Sequence, residues 1–142
     1  HLKMNIQGIP IDEVLLLRQR VLWPDKDLDF VKTPQDAQGV HFGLKKDEKW
    51  ISCISLFITE NTAQFRKFAT LPDYQRKGYG SQLLLHSFQF LKQKGVKNIT
   101  CSARIEKQEF YIKFGMRPEG REYLKNGLFY IQMTKQLDYN KF

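Results

Sequence analysis

One turn between a strand and a helix constrains the fold of this 142-residue chain more than any other feature. Thr62–Thr70 has the pattern of a strand, Leu71–Gly80 breaks that pattern with proline and glycine, and Ser81–Lys94 carries leucine and phenylalanine at helical spacing. The start of a helix presents unpaired backbone N–H groups, and glycine lets the backbone approach an anion closely. The segment therefore predicts an α/β unit whose turn can hold a phosphate group.

The same patterns of spacing and turn residues predict the other elements. Helices are predicted over Ile11–Leu22 and Glu106–Phe114, and Asp25–Gly39 is predicted to be a loop or a short irregular helix. Antiparallel strands followed by a crossover helix indicate a mixed central sheet flanked by helices. The remaining predicted strands are Val40–Leu44, Trp50–Thr59, Val96–Ser102, Arg117–Leu124 and Leu128–Lys135, the last two joined by Asn126-Gly127, the strongest hairpin signal.

Composition supports one folded domain over residues 4–137. Hydrophobic residues make up 42% of the chain, and a chain of this length buries enough surface to need no metal or disulfide. Cys53 and Cys101 form neither a disulfide framework nor a zinc pattern. Because natural chains begin with methionine, we expect His1–Lys3 to be a cloning remnant. The lack of an apolar run of about 20 residues and of a signal peptide predicts a cytoplasmic protein without a membrane partner.

The net charge of +8 is unevenly distributed along the sequence. Residues 1–63 carry a balance of −1, with eight basic and nine acidic side chains, whereas residues 64–142 carry +9, with fifteen basic and six acidic ones. An excess of this kind suits an anionic partner, whether nucleic acid, a membrane surface or a phosphate-bearing small molecule, and a solvated surface is the alternative. No recognition-helix or stacking-aromatic signature accompanies it, so nucleic acid ranks lowest.

Two short motifs identify a family that the chain resembles. The dinucleotide motif would need glycine where Leu83 stands, and the Walker loop is absent, which leaves a Q-x-x-G-x-G pattern at Gln75, Gly78 and Gly80. This pattern resembles the acetyl-CoA-binding motif of the GNAT superfamily of N-acetyltransferases. The segment Glu109–Met116 resembles the second motif of the family, F-Y-x-x-x-G-[FM], and Leu17, Arg18 and Val21 match a weaker L-R-x-x-V pattern. The resemblance covers about residues 11–135.

The resemblance implies a single GNAT-like α/β domain with splayed central strands and acetyl-CoA as co-substrate. The backbone of the strand before the turn would hold the pantetheine arm, and N–H groups of the turn would hold the pyrophosphate. Where the family often has asparagine and alanine, this chain has Arg104 and Lys107, whose cations would neutralise cofactor phosphates or lie in solvent. The expected cofactor-binding residues are Phe68, Ala69, Thr70, Gln75, Arg76, Lys77, Gly78, Tyr79, Gly80 and Ser81.

The resemblance also implies direct attack of an amine on the acetyl thioester in a ternary complex. Tyr111 occupies the motif position of the general acid, and the N–H of Phe68 would polarise the thioester carbonyl. Some relatives carry a catalytic glutamate where this chain has Gln64. A covalent route through a cysteine lacks a neighbouring His or Asp in sequence and is disfavoured. No base is assigned; the candidates are Glu60, Asp73, Glu106, Glu109, His41 and His86, or a chain of water molecules.

The acceptor is expected to be a small-molecule amine or a protein amino group. The first helix, Asp25–Gly39 and the Asn126-Gly127 hairpin would bound its pocket. Asp25, Asp27 and Asp29 would attract a cationic amine or remain solvated, and Tyr123 and Tyr130 would line the pocket. The alternative function is a CoA-binding regulatory or scaffolding module without efficient turnover, and neither function calls for a metal.

Overall fold

The computed structural model describes residues 4–137, so the expectation about His1–Lys3 lies outside the described residues. This part of the chain contains seven strands and four α-helices. The strands are β1 (Met4–Gly8), β2 (Val40–Lys46), β3 (Lys49–Thr59), β4 (Thr62–Thr70), β5 (Asn98–Arg104), β6 (Arg117–Lys125) and β7 (Leu128–Gln136). The helices are α1 (Ile11–Leu22), α2 (Leu28–Val31), α3 (Tyr79–Gln93) and α4 (Gln108–Ile112).

The strands are hydrogen-bonded in the order β1-β2-β3-β4-β5-β7-β6. The pair β4 and β5 is parallel, whereas β1–β2, β2–β3, β5–β7 and β6–β7 are antiparallel, which confirms the predicted mixed α/β fold. The ladder between β4 and β5 joins only Thr62–Gln64 to Asn98–Thr100. Both strands continue beyond this short ladder, as expected for splayed central strands.

Strand β1 was not predicted from the sequence. It pairs with β2 from Met4 opposite Lys46 to Gly8 opposite Phe42. Of its five residues, only Ile6 is even partly buried. The strand therefore lacks the alternation of buried and exposed side chains that a strand prediction needs.

Several element boundaries differ from the predicted ones by a few residues. Helix α3 begins at Tyr79 rather than at Ser81, and β5 is shifted two residues toward the C-terminus. Gly95 ends α3: its φ is +83°, and the N–H of Val96 donates to the carbonyl of Leu91 at 3.0 Å. In the segment predicted as loop or irregular helix, the chain forms α2 and a 3₁₀ turn at Asp36–Gln38.

The chain divides into two compact units. The first unit comprises the residues up to Phe57 together with Phe65–Phe90. Its core contains apolar side chains from α1, β2, β3 and the end of β4, and Trp50, Tyr74 and Tyr79 pack against it. The buried members of this cluster are Ile9, Val14, Leu17, Leu44, Ile51, Cys53, Ala69 and Leu71.

The second unit comprises Ile58–Gln64 together with the residues from Leu91 onward. Strands β5 and β7 alternate buried and exposed side chains, and Cys101 lies opposite Met133 on the buried face. The short helix α4 packs against β6 and β7 and contributes the buried Tyr111. The N–H of Met116 donates to the carbonyl of Tyr111 at 3.2 Å and closes the helix.

None of the helices within residues 4–137 combines the length and the apolar character that crossing a membrane requires.

Candidate functional site

The end of β4 is held in place by side chains of its own unit. The buried hydroxyl of Ser52 donates to the carbonyl of Ala69 at 2.9 Å and lies 2.8 Å from the hydroxyl of Thr70. The side-chain amide of Gln75 donates to the carbonyl of Thr70 at 2.8 Å. These contacts fix the backbone over Phe68–Thr70, where the pantetheine arm is expected.

A left-handed residue inside β4 precedes this stretch. Lys67 has a φ of +56°, an uncommon conformation for a residue other than glycine and one that interrupts regular strand geometry. Irregularities of this kind bend a strand locally and redirect the groups that follow, often next to functional sites. The sequence contained no signal for this conformation, since lysine does not favour it.

The segment Gln75–Ser81, here called the glycine turn, connects a 3₁₀ turn at Pro72–Tyr74 to α3. The N–H of Gln82 donates to the carbonyl of Gly78 at 3.1 Å, which is the first hydrogen bond of α3. In such a first turn the preceding N–H groups have no partner within the helix and carry the positive end of its dipole. Arg76 and Lys77 are exposed and add two charges at the same place. The glycine turn thus has the chemistry of an anion site.

The two glycines of this turn are required for different reasons. Gly78 has a φ of +87° with open space around it, so its requirement is conformational. Gly80 has an ordinary backbone conformation, but a Cβ there would lie 3.3 Å from Phe68 Cζ and 3.3 Å from Thr70 Oγ1. A Cβ there would require Phe68 or Thr70 to shift by a few tenths of an ångström, so glycine permits close packing against the end of β4. The two glycines of the motif thus correspond to two features of the structure: the bend at Gly78 and the close approach of Gly80 to β4.

The structure gathers all ten expected cofactor-binding residues in the first unit. Gln75 and Gly80 each contact the end of β4, so the turn and the strand form one continuous surface. The exposed members are Gln75, Arg76, Lys77 and Gly78, the partly buried ones are Phe68, Thr70, Tyr79, Gly80 and Ser81, and Ala69 is buried.

Tyr111, the expected general acid, belongs to the second unit. Its side chain is 9% exposed, and its ring lies edge-on to Phe110 with centroids 5.2 Å apart. Burial raises the pKa of the Tyr111 hydroxyl well above its usual value, and the neighbouring Cys101 raises it further. The hydroxyl therefore stays protonated at neutral pH and can donate a hydrogen bond. The pKa shift runs opposite to the lowering that would ease full proton transfer to a thiolate.

The structure narrows the choice of base. Nδ1 of His41 lies 2.7 Å from Ser55 Oγ, and its Nε2 lies 2.9 Å from the carbonyl oxygen of Asp36. Because a carbonyl only accepts, Nε2 donates, and Nδ1 accepts from Ser55. Both ring nitrogens of His41 are thus engaged. The ring of His86 packs edge-on against Phe42 with ring centroids 4.8 Å apart.

The two cysteines lack the character of nucleophiles. Burial raises the pKa of Cys53 to about 12, although the Arg18 charge opposes the rise, and burial raises the pKa of Cys101 to about 12 as well. Since the thiolate is the reactive form, both thiols are inert at neutral pH. This agrees with the rejection of a covalent route.

Residues expected near the acceptor have identifiable structural partners. Asp27 caps α2 by accepting from the N–H of Phe30 at 3.1 Å, and Asp29 pairs with Lys32 at 3.0 Å on the surface. In the hairpin, the rings of Tyr123 and Tyr130 stack with centroids 5.9 Å apart. Arg104 lies opposite Tyr130 in the β5–β7 ladder, and Lys107 is exposed.

Sequence reasoning missed a buried arginine. Arg18 stands in the helical stripe of α1 but has no exposed surface, and it pairs with Asp36 at 2.9 Å. A cation within an otherwise apolar stripe was the available signal. Its partner could not be read from the sequence, since it lies in the irregular segment 18 residues away.

A family model for the acetyltransferase (GNAT) domain matches residues 31–137. The uncharacterized protein YyaT of Bacillus subtilis (strain 168) is 24% identical over 83 residues, which cover 58% of this chain and 56% of that protein. The chain therefore spans little more than half the length of this relative.

Solved structures share the fold at low sequence identity. The ribosomal-protein-S18-alanine N-acetyltransferase from Escherichia coli superposes with a TM-score of 0.83 at 20% identity, over 97% of this chain and 96% of that chain. A Bacillus subtilis acetyltransferase in complex with CoA superposes with a TM-score of 0.72 at 19% identity, over 96% and 99%.

The mixed sheet with its short central ladder, followed by a glycine turn at a helix start, defines an α/β protein whose turn has the chemistry of an anion site. With the family model matching most of the chain, the conclusion is more specific: the protein belongs to the GNAT acetyltransferase family.

Proposed function

We propose that the protein is an N-acetyltransferase that moves the acetyl group of acetyl-CoA to an amine by direct attack in a ternary complex. The observation that carries this proposal is the glycine turn, in which Gly78 supplies the bend and Gly80 the close contact with the end of β4. Backbone N–H groups at the start of α3, with Arg76 and Lys77 beside them, suit the pyrophosphate of the co-substrate. The family membership of the chain supports the same reaction.

In the proposed reaction the neutral amine nitrogen attacks the carbonyl carbon of the thioester. The new C–N bond forms, the C–S bond breaks, and the electron pair of that bond stays on sulfur. The amine nitrogen loses one proton to solvent, and the departing thiolate gains one. Backbone N–H groups at Phe68 and its neighbours would stabilise the oxyanion that develops on the way.

Tyr111 is proposed as the general acid that protonates the thiolate. Since burial raises the pKa of its hydroxyl, the group is always protonated at neutral pH and donates a hydrogen bond to the developing negative charge before the proton moves. A buried donor of this kind stabilises a thiolate more than an exposed one does, because little water competes for it.

The proposed acceptor is a small-molecule amine or a protein amino group. The name of the Escherichia coli neighbour specifies the alanine of a ribosomal protein, which illustrates the protein class. The exposed aspartates of residues 25–29 suit a cationic amine on electrostatic grounds. A CoA-binding module without turnover is the competing function, and it makes a different prediction in the experiment below.

The experiment combines a binding assay with a turnover assay. Thermal unfolding is measured with CoA, because ligand at 100 times its Kd adds about 2.7 kcal/mol of stability. Thiol release from acetyl-CoA is then followed with 1,4-diaminobutane, lysine amide and a peptide with a free α-amino group. We expect a CoA-dependent shift and thiol release with at least one amine. Binding without release from any amine would favour the CoA-binding module, and an unshifted melting curve would reject both functions.

Tyr111→Phe tests the proposed acid, and Tyr74→Phe is its control, since it removes a hydroxyl from a partly buried tyrosine that is assigned no role in binding or catalysis. We expect turnover by Tyr111→Phe to fall about 10²-fold with CoA affinity unchanged. Unchanged turnover would remove Tyr111 from the reaction while leaving the proposed activity intact.

A further inference from the structure

The guanidinium of Arg18 is buried among polar partners from three segments of the first unit. Nη1 donates to the carbonyl of Val31 at 2.8 Å and to Asp36 Oδ2 at 2.9 Å. Nη2 donates to Asp36 Oδ1 at 2.9 Å and to Ser55 Oγ at 3.0 Å. Four of the five N–H donors of arginine are used in this way, and the fifth, on Nε, is buried without a partner among the described residues. A fully buried cation with this geometry is committed to one arrangement of its partners.

The carboxylate oxygens of Asp36 accept four hydrogen bonds. Besides the two hydrogen bonds from Arg18, the carboxylate accepts one from the N–H of Thr33 at 2.9 Å and one from its hydroxyl at 2.8 Å. Burial raises the pKa of Asp36, but the hydrogen bonds from Arg18 and Thr33 outweigh burial and hold the pKa well below its usual value. The carbonyl of the same residue accepts from His41, whose ring is bonded in turn to Ser55. The residues Arg18, Thr33, Asp36, His41 and Ser55 are called the Arg18 network below.

The Arg18 network holds the segment between α1 and β2 in place through hydrogen bonds. The segment, residues 23–39, has little regular structure of its own: one four-residue helix and one 3₁₀ turn. Arg18 lies on α1 and donates hydrogen bonds to the segment at two places, the end of α2 and the 3₁₀ turn. Ser55 and His41 connect the same point to β3 and β2. The buried Arg18 therefore stabilises the conformation of residues 23–39, because the short helix and the 3₁₀ turn of this segment would stabilise it only weakly by themselves.

The segment carries chemistry that suits an alkylammonium group. It contains four aspartates and two lysines, a net charge of −2, in a chain whose net charge is +8. Its exposed Phe30 ring packs edge-on against Trp23 with centroids 5.1 Å apart. The ammonium of Lys26 already lies over the Phe30 ring, 5.2 Å from its centroid. The segment thus holds one alkylammonium on an aromatic face and carries a net negative charge, two features that attract cationic amines.

We infer that Arg18 is a positioning residue, which through Asp36 fixes residues 23–39 in the conformation that receives a cationic amine acceptor. The inference rests on the proposed function in taking an amine as the second substrate. It assigns Arg18 no contact with substrate: the arginine is buried, and it acts through the segment. Loss of the Arg18–Asp36 ion pair would leave the glycine turn intact and would increase the mobility of residues 23–39 only.

The first experiment needs no acceptor. Backbone hydrogen exchange of the full chain is measured by mass spectrometry for the wild type, Arg18→Lys and Arg20→Gln. Lysine keeps the charge but cannot make the bidentate contact, and Arg20 is an exposed arginine on the same helix, which makes it the matched control. We expect exchange over residues 28–38 to accelerate at least tenfold in Arg18→Lys and to stay unchanged in Arg20→Gln. Exchange that is unchanged, or accelerated evenly over the chain, would overturn the inference.

The second experiment separates acceptor binding from cofactor binding. With the amine that gives the highest thiol release among 1,4-diaminobutane, lysine amide and the peptide, KM is measured for amine and for acetyl-CoA. We expect Arg18→Lys to raise the amine KM at least tenfold and to change the acetyl-CoA KM less than twofold. Thr33→Val, which keeps the ion pair and loses one hydrogen bond, should give a smaller change in the same direction. A general structural role would alter both KM values or kcat alone, and that result would overturn the inference.

The two proposals fail in different ways. If none of the three amines is acetylated, the proposed function loses its support, and the exchange experiment alone decides whether Arg18 positions the segment. If an amine is acetylated but its KM is insensitive to Arg18→Lys, the transferase activity stands and the positioning role is rejected.

Discussion

The glycine turn and the Arg18 network belong to the same unit, but they place their charged and polar groups in opposite environments. The turn is largely exposed, and its proposed binding groups are backbone N–H groups of a stretch with two glycines. The network is centred on the buried Arg18 and Ser55, and its groups are side chains from α1, the segment after it, β2 and β3. A site made of backbone leaves a fixed spacing in the sequence, whereas a site made of side chains from distant elements does not. In the proposed function the turn receives its partner from outside the protein, whereas four of the five N–H donors of Arg18 already have partners within it.

The largest predicted effect is that of Arg18→Leu, which should lower the free energy of unfolding without changing the affinity for CoA. Arg18→Leu leaves the partly buried carboxylate of Asp36 beside an apolar side chain, and removing one partner of an ion pair at this depth costs about 3 kcal/mol. We expect urea unfolding at pH 7 to show this loss, with the CoA Kd of the folded fraction within twofold of wild type. Arg20→Gln on the exposed side of α1 should change stability by less than about 0.5 kcal/mol. A comparable loss in both variants would contradict the special status of the buried arginine.

The next effect depends on pH. The folded pKa of Asp36 is depressed below its unfolded value of about 3.9, so the network contributes its full stability above about pH 4. That contribution is lost as pH falls through the depressed folded pKa, because the unfolded state then binds the proton more readily. We expect Asp36→Asn to cost about 2–3 kcal/mol at pH 7 by urea unfolding. The gap between the two proteins should narrow progressively below pH 4; a gap independent of pH would show that the Asp36 charge is not what stabilises the segment.

A smaller effect distinguishes the glycine turn from a glycine of the same conformation outside the first unit. Gly78 and Gly95 have nearly the same conformation, with φ of +87° and +83°, and open space around both. Alanine at either should cost about 1–2 kcal/mol of stability for the same strain. Only Gly78→Ala should also weaken CoA binding, about tenfold, which corresponds to one charge-assisted hydrogen bond. Calorimetric titration with CoA distinguishes the two variants, and equal Kd values would remove the turn from the cofactor site.

The contrast explains how much could be predicted from the sequence. The glycine turn, α3, its end at Gly95 and the hairpin at Asn126-Gly127 were all predictable, because each depends on neighbours within a few residues. The mixed sheet followed from the order of those elements. Strand β1 was missed because it buries almost nothing.

The side chains that meet in space were not predictable in the same way. The bidentate contact between Arg18 and Asp36 depends on how residues 23–39 fold back onto α1. The engagement of His41, which removed a base candidate, depends on the register of β2 against β3, where it lies opposite Ser55. Such contacts arise from tertiary packing, which acts across sequence distances that local patterns do not span.

The smallest predicted effect tests whether backbone shape alone matters next to the glycine turn. Lys67 adopts a left-handed conformation inside β4, whereas its neighbour Arg66 does not. Glycine at position 67 relieves about 1 kcal/mol of backbone strain but adds a similar loss of chain entropy on folding, so the two nearly cancel. Glycine at position 66 brings the entropy cost without relief. We therefore expect thermal unfolding to show Lys67→Gly within about 0.5 kcal/mol of wild type and Arg66→Gly destabilised by about 1 kcal/mol. A larger loss at position 67 would mean that the lysine side chain, and not only the backbone conformation, holds this end of β4, and the backbone-made region would then share a property with the Arg18 network.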